Sequence, residues 1–360
     1  MKLKVNTTTS YFALVFVFAI VSRVVDSIHL LRIAQVLGVG GVVAIYTYKS
    51  HHLKLITGSF VLVLLFLLKI YLYEEVYLTG LFIVSVVGAG LIYFELLEKS
   101  PKTFLHVIVC VSWISTFYIF LMIFILDVDS NEVVRGSRNY ITTLFLALSS
   151  GIIIGLKKAA AGNILKFSSY VAILAMSIIT FLYTGRTGVV ISIGLVVLTL
   201  FHIFSPDLKI GSLLFSLVVT AIFLGIGFLL DLHEMSSGWA RTQEEEIEGV
   251  RTIVWGIAAG YMLDPAYFMG VPEGFWEQLT GYSSHNSFIY TYSHVGWIGL
   301  FIILTVIIYN TAILLKKDKI VAGVFILIVA RSFFDLTLLS TDLGPFFVLC
   351  ILLANRKKYE

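Results

Sequence analysis

The sequence predicts an all-α polytopic membrane protein, and three observations carry that prediction. Hydrophobic residues make up 59% of the 360-residue chain and charged residues only 13%, where a soluble domain carries about 25% charge. Apolar runs near the roughly 20 residues that a bilayer-crossing helix needs recur along most of the chain. The mean hydropathy of +0.97 leaves too few polar side chains to coat a water-facing surface of this size. A net charge of +3 is too small to suggest a nucleic-acid partner. Cys110 and Cys350 both sit in apolar runs and read as packing residues, not as a disulfide or a metal site. No cofactor or metal is expected.

About twelve spans follow from the hydropathy pattern. In chain order they cover 11–26, 33–48, 53–72, 77–97, 103–126, 140–156, 164–183, 188–204, 210–231, 286–315, 320–339 and 343–355. The first follows Met1-Lys2-Leu3-Lys4 and imitates a signal peptide, but no small-x-small cleavage site comes after it, so it reads as a span. A few spans are short enough to be tilted or interfacial. Proline is rare, and only Pro345 falls inside a proposed span, near its start. The chain reads as one integral membrane domain. Residues 1–231 supply nine helices, 232–285 an extracytoplasmic loop, and 286–360 three more helices.

The basic residues orient the bundle. Lys2, Lys4, Lys49, Lys54, Lys99, Lys102, Lys157, Lys158, Lys166, Lys209, Lys316, Lys317, Lys319, Lys357 and Lys358 all fall on the side of the N-terminus when twelve spans are counted, and only Lys69 does not. The excess of cationic side chains on cytoplasmic loops therefore puts both termini in the cytoplasm. The arginines do the opposite. Arg23, Arg32, Arg135, Arg138, Arg186, Arg241, Arg251 and Arg331 lie on or toward the outer side, and only Arg356 lies inside. A guanidinium binds carboxylate or phosphate with a planar fork of donors and keeps its charge when partly buried. The set points to an outward-facing site for a phosphorylated, membrane-resident substrate. The plainer alternative is local neutralisation, because Arg23 and Asp26, Arg331 and Asp335, and Arg251 and Glu248 are spaced as helix neighbours.

The stretch 232–285 is the only long hydrophilic segment. Loops of this length are functional or disordered, and its aromatics (Trp239, Trp255, Tyr261, Tyr267, Phe268, Phe275, Trp276 and Tyr282) argue against disorder. Residues 242–261 read as an amphipathic helix with Ile247, Val250, Val254, Ile257 and Ala258 on its apolar face. Glu244, Glu245, Glu246 and Glu248 load its first turns, where the helix dipole favours acids. They read as a solvated face. Pro265 and then Gly270-Val271-Pro272-Glu273-Gly274 end the helix and turn the chain. Flat aromatics beside hydroxyl-binding groups suit a sugar, and aromatics are also expected at a membrane interface.

Three polar points stand out on the outer side. The first is Tyr183-Thr184-Gly185-Arg186-Thr187-Gly188, a tight turn between two apolar spans in which glycines bracket Arg186. The second is Arg251-Thr252-Ile253-Val254-Trp255, where Trp255 lies one turn beyond Arg251 and can stack on it. Arg241 is a secondary candidate. The third is Ser283-Ser284-His285-Asn286, which opens into a span. Histidine exchanges protons near neutral pH, and Asn286 can orient His285 or hold a sugar hydroxyl. These serines and Asn286 equally suit a simple helix N-cap. His294, inside the apolar run, reads as a hydrogen-bonded buried residue.

These motifs, in this order, resemble the O-antigen polymerase (Wzy) and O-antigen ligase superfamily of bacterial envelope enzymes. The matching pieces are the Gly-Arg-Thr-Gly turn, the loop Arg-x-x-x-Trp, and the His-Asn pair followed by Gly296, Gly299 and Leu300. The resemblance covers mainly 183–300. It implies a metal-independent, inverting, membrane-embedded C-type glycosyltransferase that moves glycan from a polyprenyl diphosphate carrier to an acceptor hydroxyl. It also implies that Arg186, Arg251 and His285 are catalytic. Arg135, Arg138, Arg241, Trp255, Tyr282, Asn286 and Arg331 are candidates for substrate binding. The expected setting is the bacterial inner membrane with the site facing the periplasm or cell exterior. The expected partners are polyprenyl-diphosphate-linked glycans, the lipid bilayer, and flippase and chain-length regulator proteins. Transfer of finished glycan to lipid A core is an alternative within this chemistry. A transporter or flippase of lipid-linked sugar is an alternative of another class, and it should show repeated halves, broken helices or ionisable residues at mid-membrane. A structural scaffold for an envelope complex is the third.

Overall fold

Apolar runs almost free of proline form helices wherever the backbone must satisfy its own hydrogen bonds. The computed structural model describes residues 79–133, 138–184, 186–204, 254–272, 274–282, 286–335, 338 and 343–356, and these are helical almost throughout, with no strand among them. The expected spans 11–26, 33–48, 53–72 and 210–231 lie outside the described residues. So do Arg23, Arg32, Arg135, Arg241, Arg251 and His285. Arg138 and Arg186 are described only by their place in the backbone.

Ten helices organise the described chain: α1 (Thr79–Lys99), α2 (Pro101–Phe120), α3 (Arg138–Lys158), α4 (Asn163–Tyr183), α5 (Arg186–Phe204), α6 (Val254–Leu263), α7 (Phe275–Thr280), α8 (Ser287–Lys317), α9 (Lys319–Phe333) and α10 (Gly344–Asn355). A π-helical turn, Leu121–Ile125, extends α2, and one short helical turn, Ser130–Val133, precedes α3. Four described helices are long and apolar enough to cross a membrane: α2 with its extension, α3, α4 and α8. The expected spans between 77 and 204 and between 286 and 355 match α1 to α5 and α8 to α10 to within a few residues, except that α9 ends at Phe333 and not near 339.

Connections are short, so neighbouring helices run antiparallel. Ser100 alone separates α1 from α2, and Pro101 begins α2, where its missing N–H costs nothing. Asp318 alone separates α8 from α9, and its carboxylate accepts the N–H of Val321 at 3.1 Å as the N-cap of α9. Central α3 packs on α2, α4, α5, α9 and α10. Some 89% of its span is buried, against 39%, 39% and 33% for the other three long apolar helices. Its enclosure follows from small residues. A β-carbon on Gly151 would stand 2.4 Å from Ile108 Cδ1 of α2 and 2.8 Å from the Phe346 ring of α10, so glycine here lets both side chains settle against α3. The outward faces stay apolar, with Ile114, Phe117 and Phe124 on α2 and its extension, Phe167 and Ile178 on α4, and Phe301 and Ile308 on α8 all exposed. Such a surface suits lipid and not water.

One end of the bundle collects the lysines. Lys158 and Arg356 both bind Glu98, at 3.5 and 2.6 Å, Lys157 pairs with Asp318, and the Lys317 ammonium donates to the Ala354 carbonyl at 2.7 Å. The ends of α1, α3, α8 and α10 and the start of α9 therefore lie together. The opposite end carries the starts of α3, α5, α8 and α10, and it holds the candidate site.

Candidate functional site

The span expected over 286–315 is not continuous. At Gly296 the backbone takes φ 67° and ψ −168°, which breaks α8. The reason lies in the loop that precedes α8. In an unbroken helix the Trp297 N–H would bond to the Ser293 carbonyl. Here Trp297 N donates to the Phe268 carbonyl at 3.0 Å, and the Ser293 carbonyl accepts from Val271 N at 3.2 Å. The loop is spliced into the break, and the Trp297 N–H and the Ser293 carbonyl both stay satisfied. Two glycines permit the approach. A β-carbon on Gly296 would stand 2.6 Å from the Phe268 oxygen, and one on Gly270 (φ 94°) would stand 2.5 Å from the oxygens of Tyr292 and Ser293.

Side chains lock the same junction. The Tyr292 hydroxyl donates to the Tyr267 carbonyl at 2.7 Å, the Trp297 indole to the Met262 carbonyl at 2.7 Å, and the Trp276 indole to Ser293 Oγ at 2.6 Å. Tyr261, Tyr267, Phe275 and Trp276 form one aromatic cluster with ring centroids 5.0–6.0 Å apart, edge to face in every pair but the tilted Tyr267–Phe275. Within the described part of the amphipathic helix, Val254 and Ala258 are buried and Ile257 half-buried, as the apolar face requires.

The start of α8 is tied to the end of α9. Asn286 is the N-cap, its side-chain oxygen accepting from Phe288 N at 2.8 Å and Ile289 N at 3.2 Å. This is the capping role that the sequence allowed. Next to it, Ser287 Oγ donates to the Asp335 carbonyl at 2.6 Å and accepts from Leu338 N at 3.1 Å. Phe288 lies against Phe333, with centroids 4.3 Å apart.

Arg331 links this junction to α3. Its side chain is 1% exposed. One terminal nitrogen donates to the Asp335 carboxylate at 2.7 Å and to the Asn139 carbonyl at 2.9 Å, while Nε donates to Thr143 Oγ1 at 3.3 Å. A guanidinium this deep is tolerable only when paired and hydrogen-bonded. The Arg331–Asp335 pair allowed by the i,i+4 spacing is thus formed. Asn139 directly follows Arg138, the first residue of α3.

The start of α5 joins the same end. Helix α4 stops at Tyr183 and α5 begins at Arg186, so the turn is as tight as its sequence implied. A β-carbon on Gly188 would stand 2.8 Å from Thr142 Oγ1 of α3. The backbone thus sets Arg186 and Arg138 at the starts of two helices that touch within their first turns.

Of the side chains expected in a site, Asn286, Arg331 and Trp255 lie at this junction; the Trp255 ring is 6.3 Å from that of Phe334, the C-cap of α9. Tyr282 does not join them. It is exposed, and its N–H bonds to Thr280 Oγ1 at 3.2 Å. His294 is buried, donating from Nδ1 to the Tyr290 carbonyl at 2.8 Å, with the two rings 3.9 Å apart. Ser287, Asn139 and Thr143 shape the site without any signal in the sequence that separates them from ordinary residues, and Gly270 was legible as a turn but not as the point where the loop meets α8. Asp335 was legible as a partner of Arg331 but not as an anchor for Ser287.

Helix starts present a positive dipole end, those of α3 and α5 begin with Arg138 and Arg186, and the first N–H groups of α8 are already taken by the Asn286 side chain. No family model matches this chain, and no curated protein matches it.

Proposed function

We propose that this protein is a membrane glycosyltransferase that polymerises polyprenyl-diphosphate-linked oligosaccharide repeats, in the manner of the O-antigen polymerases its motifs resemble. One observation carries the reading. The starts of α3 and α5, which bear Arg138 and Arg186, touch at the end of the bundle away from the lysines, and the Arg331–Asp335 pair bridges the start of α8, which follows His285, to α3 at that same end. By the cationic-inside rule that end faces the periplasm or cell exterior of the inner membrane, with both termini in the cytoplasm.

The chemistry needs no nucleotide, because the diphosphate already activates the sugar. The acceptor oxygen attacks the anomeric carbon as the C1–O bond to the diphosphate breaks, with inversion at that carbon. Arg186 and Arg251 stabilise the charge that develops on the leaving diphosphate. His285 takes the acceptor proton or holds the hydroxyl in line. Holding donor and acceptor together supplies much of the remaining acceleration. Asn286 caps α8 and so fixes the residue before it, while Arg331 and Asp335 fix the helix ends against one another. A flippase and a chain-length regulator are the natural partners of such an enzyme.

A second reading, a transporter of lipid-linked glycan, gains one specific observation. Discontinuous helices are a transporter feature, and α8 is discontinuous at Gly296. Here, however, the break is closed by loop backbone instead of standing open as a ligand site.

Deleting the gene and sizing the surface glycan separates these readings. Core bearing a single repeat is the expected result and indicates a lost polymerase. Core bearing none points to a ligase or a flippase and overturns the proposal. Glycan of unchanged length distribution also overturns it.

A further inference from the structure

Helix α8 contains 31 residues, about 46 Å at 1.5 Å per residue, whereas a bilayer core is only about 30 Å thick. The excess has a definite place. Residues 297–317 alone make about 31 Å of helix and show a one-sided buried stripe of Gly299, Leu300, Ile303, Ile307, Asn310 and Leu314. From Ser287 to Gly296, by contrast, every residue but Tyr290 is buried. The first arm is wrapped in protein on all sides, while the second has one side free.

The two arms are not collinear. Helix α8 ends and α9 begins at Asp318. Asp335 stands at most about 30 Å from that turn, whereas a straight α8 would put Ser287 about 46 Å from it. Yet Ser287 Oγ and the Asp335 carbonyl are 2.6 Å apart. The arm 287–295 therefore folds across the end of the bundle at Gly296, and the membrane-crossing part of α8 ends at Trp297. A tryptophan whose indole N–H is satisfied suits the interface.

This fixes the depth of the outer loop, because residues 262 and 268 bond directly to Trp297. Beside them Leu263 is 80% exposed and Phe268 49% exposed, and on α8 the next apolar side chains, Ile298 and Phe301, are exposed too, Phe301 at 71%. The apolar surface of the loop is continuous with the lipid-facing stripe of α8. We propose that residues 262–269 form a lipid-contacting hairpin, with Leu263 and Phe268 inserted in the headgroup and upper acyl layer of the outer leaflet. The occupant is the bilayer itself and not a protein partner. The backbone here can enter that layer because its polar groups are used: Phe268 O by α8, and Ala266 N by the Asp264 carboxylate at 2.9 Å. The inference goes beyond the enzymatic reading and does not rest on it.

The test uses the full-length chain in phospholipid vesicles, with Cys110→Ser and single cysteines at Leu263 or Phe268 carrying an environment-sensitive fluorophore. Shallow nitroxide lipids should quench most of the emission at both positions, deep nitroxide lipids less. Phe301→Cys should show the reverse order, and Glu277→Cys should respond only to aqueous iodide. Labels at 263 and 268 that behave like the one at 277 overturn the proposal. Because cysteine at 268 can disturb the junction, unmodified protein is also photolabelled with a shallow photoreactive lipid. Adducts on the 262–269 peptide support the insertion. Adducts confined to 298–317 overturn it.

Discussion

The two ends of the bundle use their charges in opposite ways. At the lysine end, Lys157, Lys158 and Arg356 meet Asp318 and Glu98 with side chains still partly in solvent. Exposed pairs of this kind are worth about 0–1 kcal/mol and are screened by salt. At the other end Arg331 is fully enclosed, and its partners come from α3 and from beyond its own helix. Lysine is a hydrated point charge that marks a side, whereas arginine is a planar fork that can be buried. The difference teaches that surroundings decide what a cation does: Arg356 shares a partly exposed acid with Lys158 at one end, while Arg331 at the other is enclosed with three bonded partners.

The largest effect should come from the proposed chemistry. His285→Ala and Arg186→Ala are each expected to lower chain elongation by about 100-fold or more, the scale of losing a proton acceptor or a charge stabiliser. Lys157→Ala should leave elongation near wild type. The assay is elongation of purified lipid-linked repeats by folded protein. Equal rates for all three variants would erase the functional contrast between the ends.

Next comes the buried pair. Asp335→Leu leaves the Arg331 guanidinium enclosed without its carboxylate, and breaking one side of a buried pair costs about 3–5 kcal/mol. Arg331→Met with Asp335→Leu removes both charges and should recover much of that loss, since paired burial is close to neutral against an apolar replacement. Thermal unfolding in detergent reads the stability. A double variant as unstable as the single one would show that Arg331 acts through Asn139 and Thr143 and not through Asp335.

The loop splice ranks third. Gly296→Ala puts a β-carbon at φ 67° against the Phe268 carbonyl, and a non-glycine residue in such a conformation costs about 1–3 kcal/mol. The expected result is faster proteolysis within 262–282 while the rest of the bundle stays resistant. Unchanged cleavage would mean that the loop is held by Tyr292, Trp276 and Trp297 alone.

Much of the frame was legible because hydropathy is a local property. Expected spans meet α1 to α5, α8 and α10 closely, and the lysine count anticipated a common end for Lys158 and Lys317. What was not legible depends on contacts far apart in the chain. The sequence shows glycine at 296 but not the Phe268 carbonyl that demands it, so α8 reads as one span. Ser287 carries no mark in the sequence, and its bond to the Asp335 carbonyl spans 48 residues. Arg331 at i−4 from Asp335 was readable as a pair, but its reach to Asn139 crosses 192 positions. The alternation of in and out is written in each helix, and the convergence of their ends is not.

The smallest expected effect sharpens the comparison from the lysine side. Lys158→Ala removes one of the two cations on Glu98 and leaves Arg356 at 2.6 Å. At 3.5 Å with both side chains partly exposed, the lost contact is worth less than about 1 kcal/mol, so the unfolding temperature should fall by only a degree or so in low salt. In high salt the variant and the wild type should converge, because screening already removes what the substitution removes. The Asp335→Leu deficit, sitting away from solvent, should persist at the same ionic strength. A salt-independent loss at Lys158 would mean that the lysine end is as enclosed as the arginine end. The contrast between a topological rim and a buried site would then fail on its own terms.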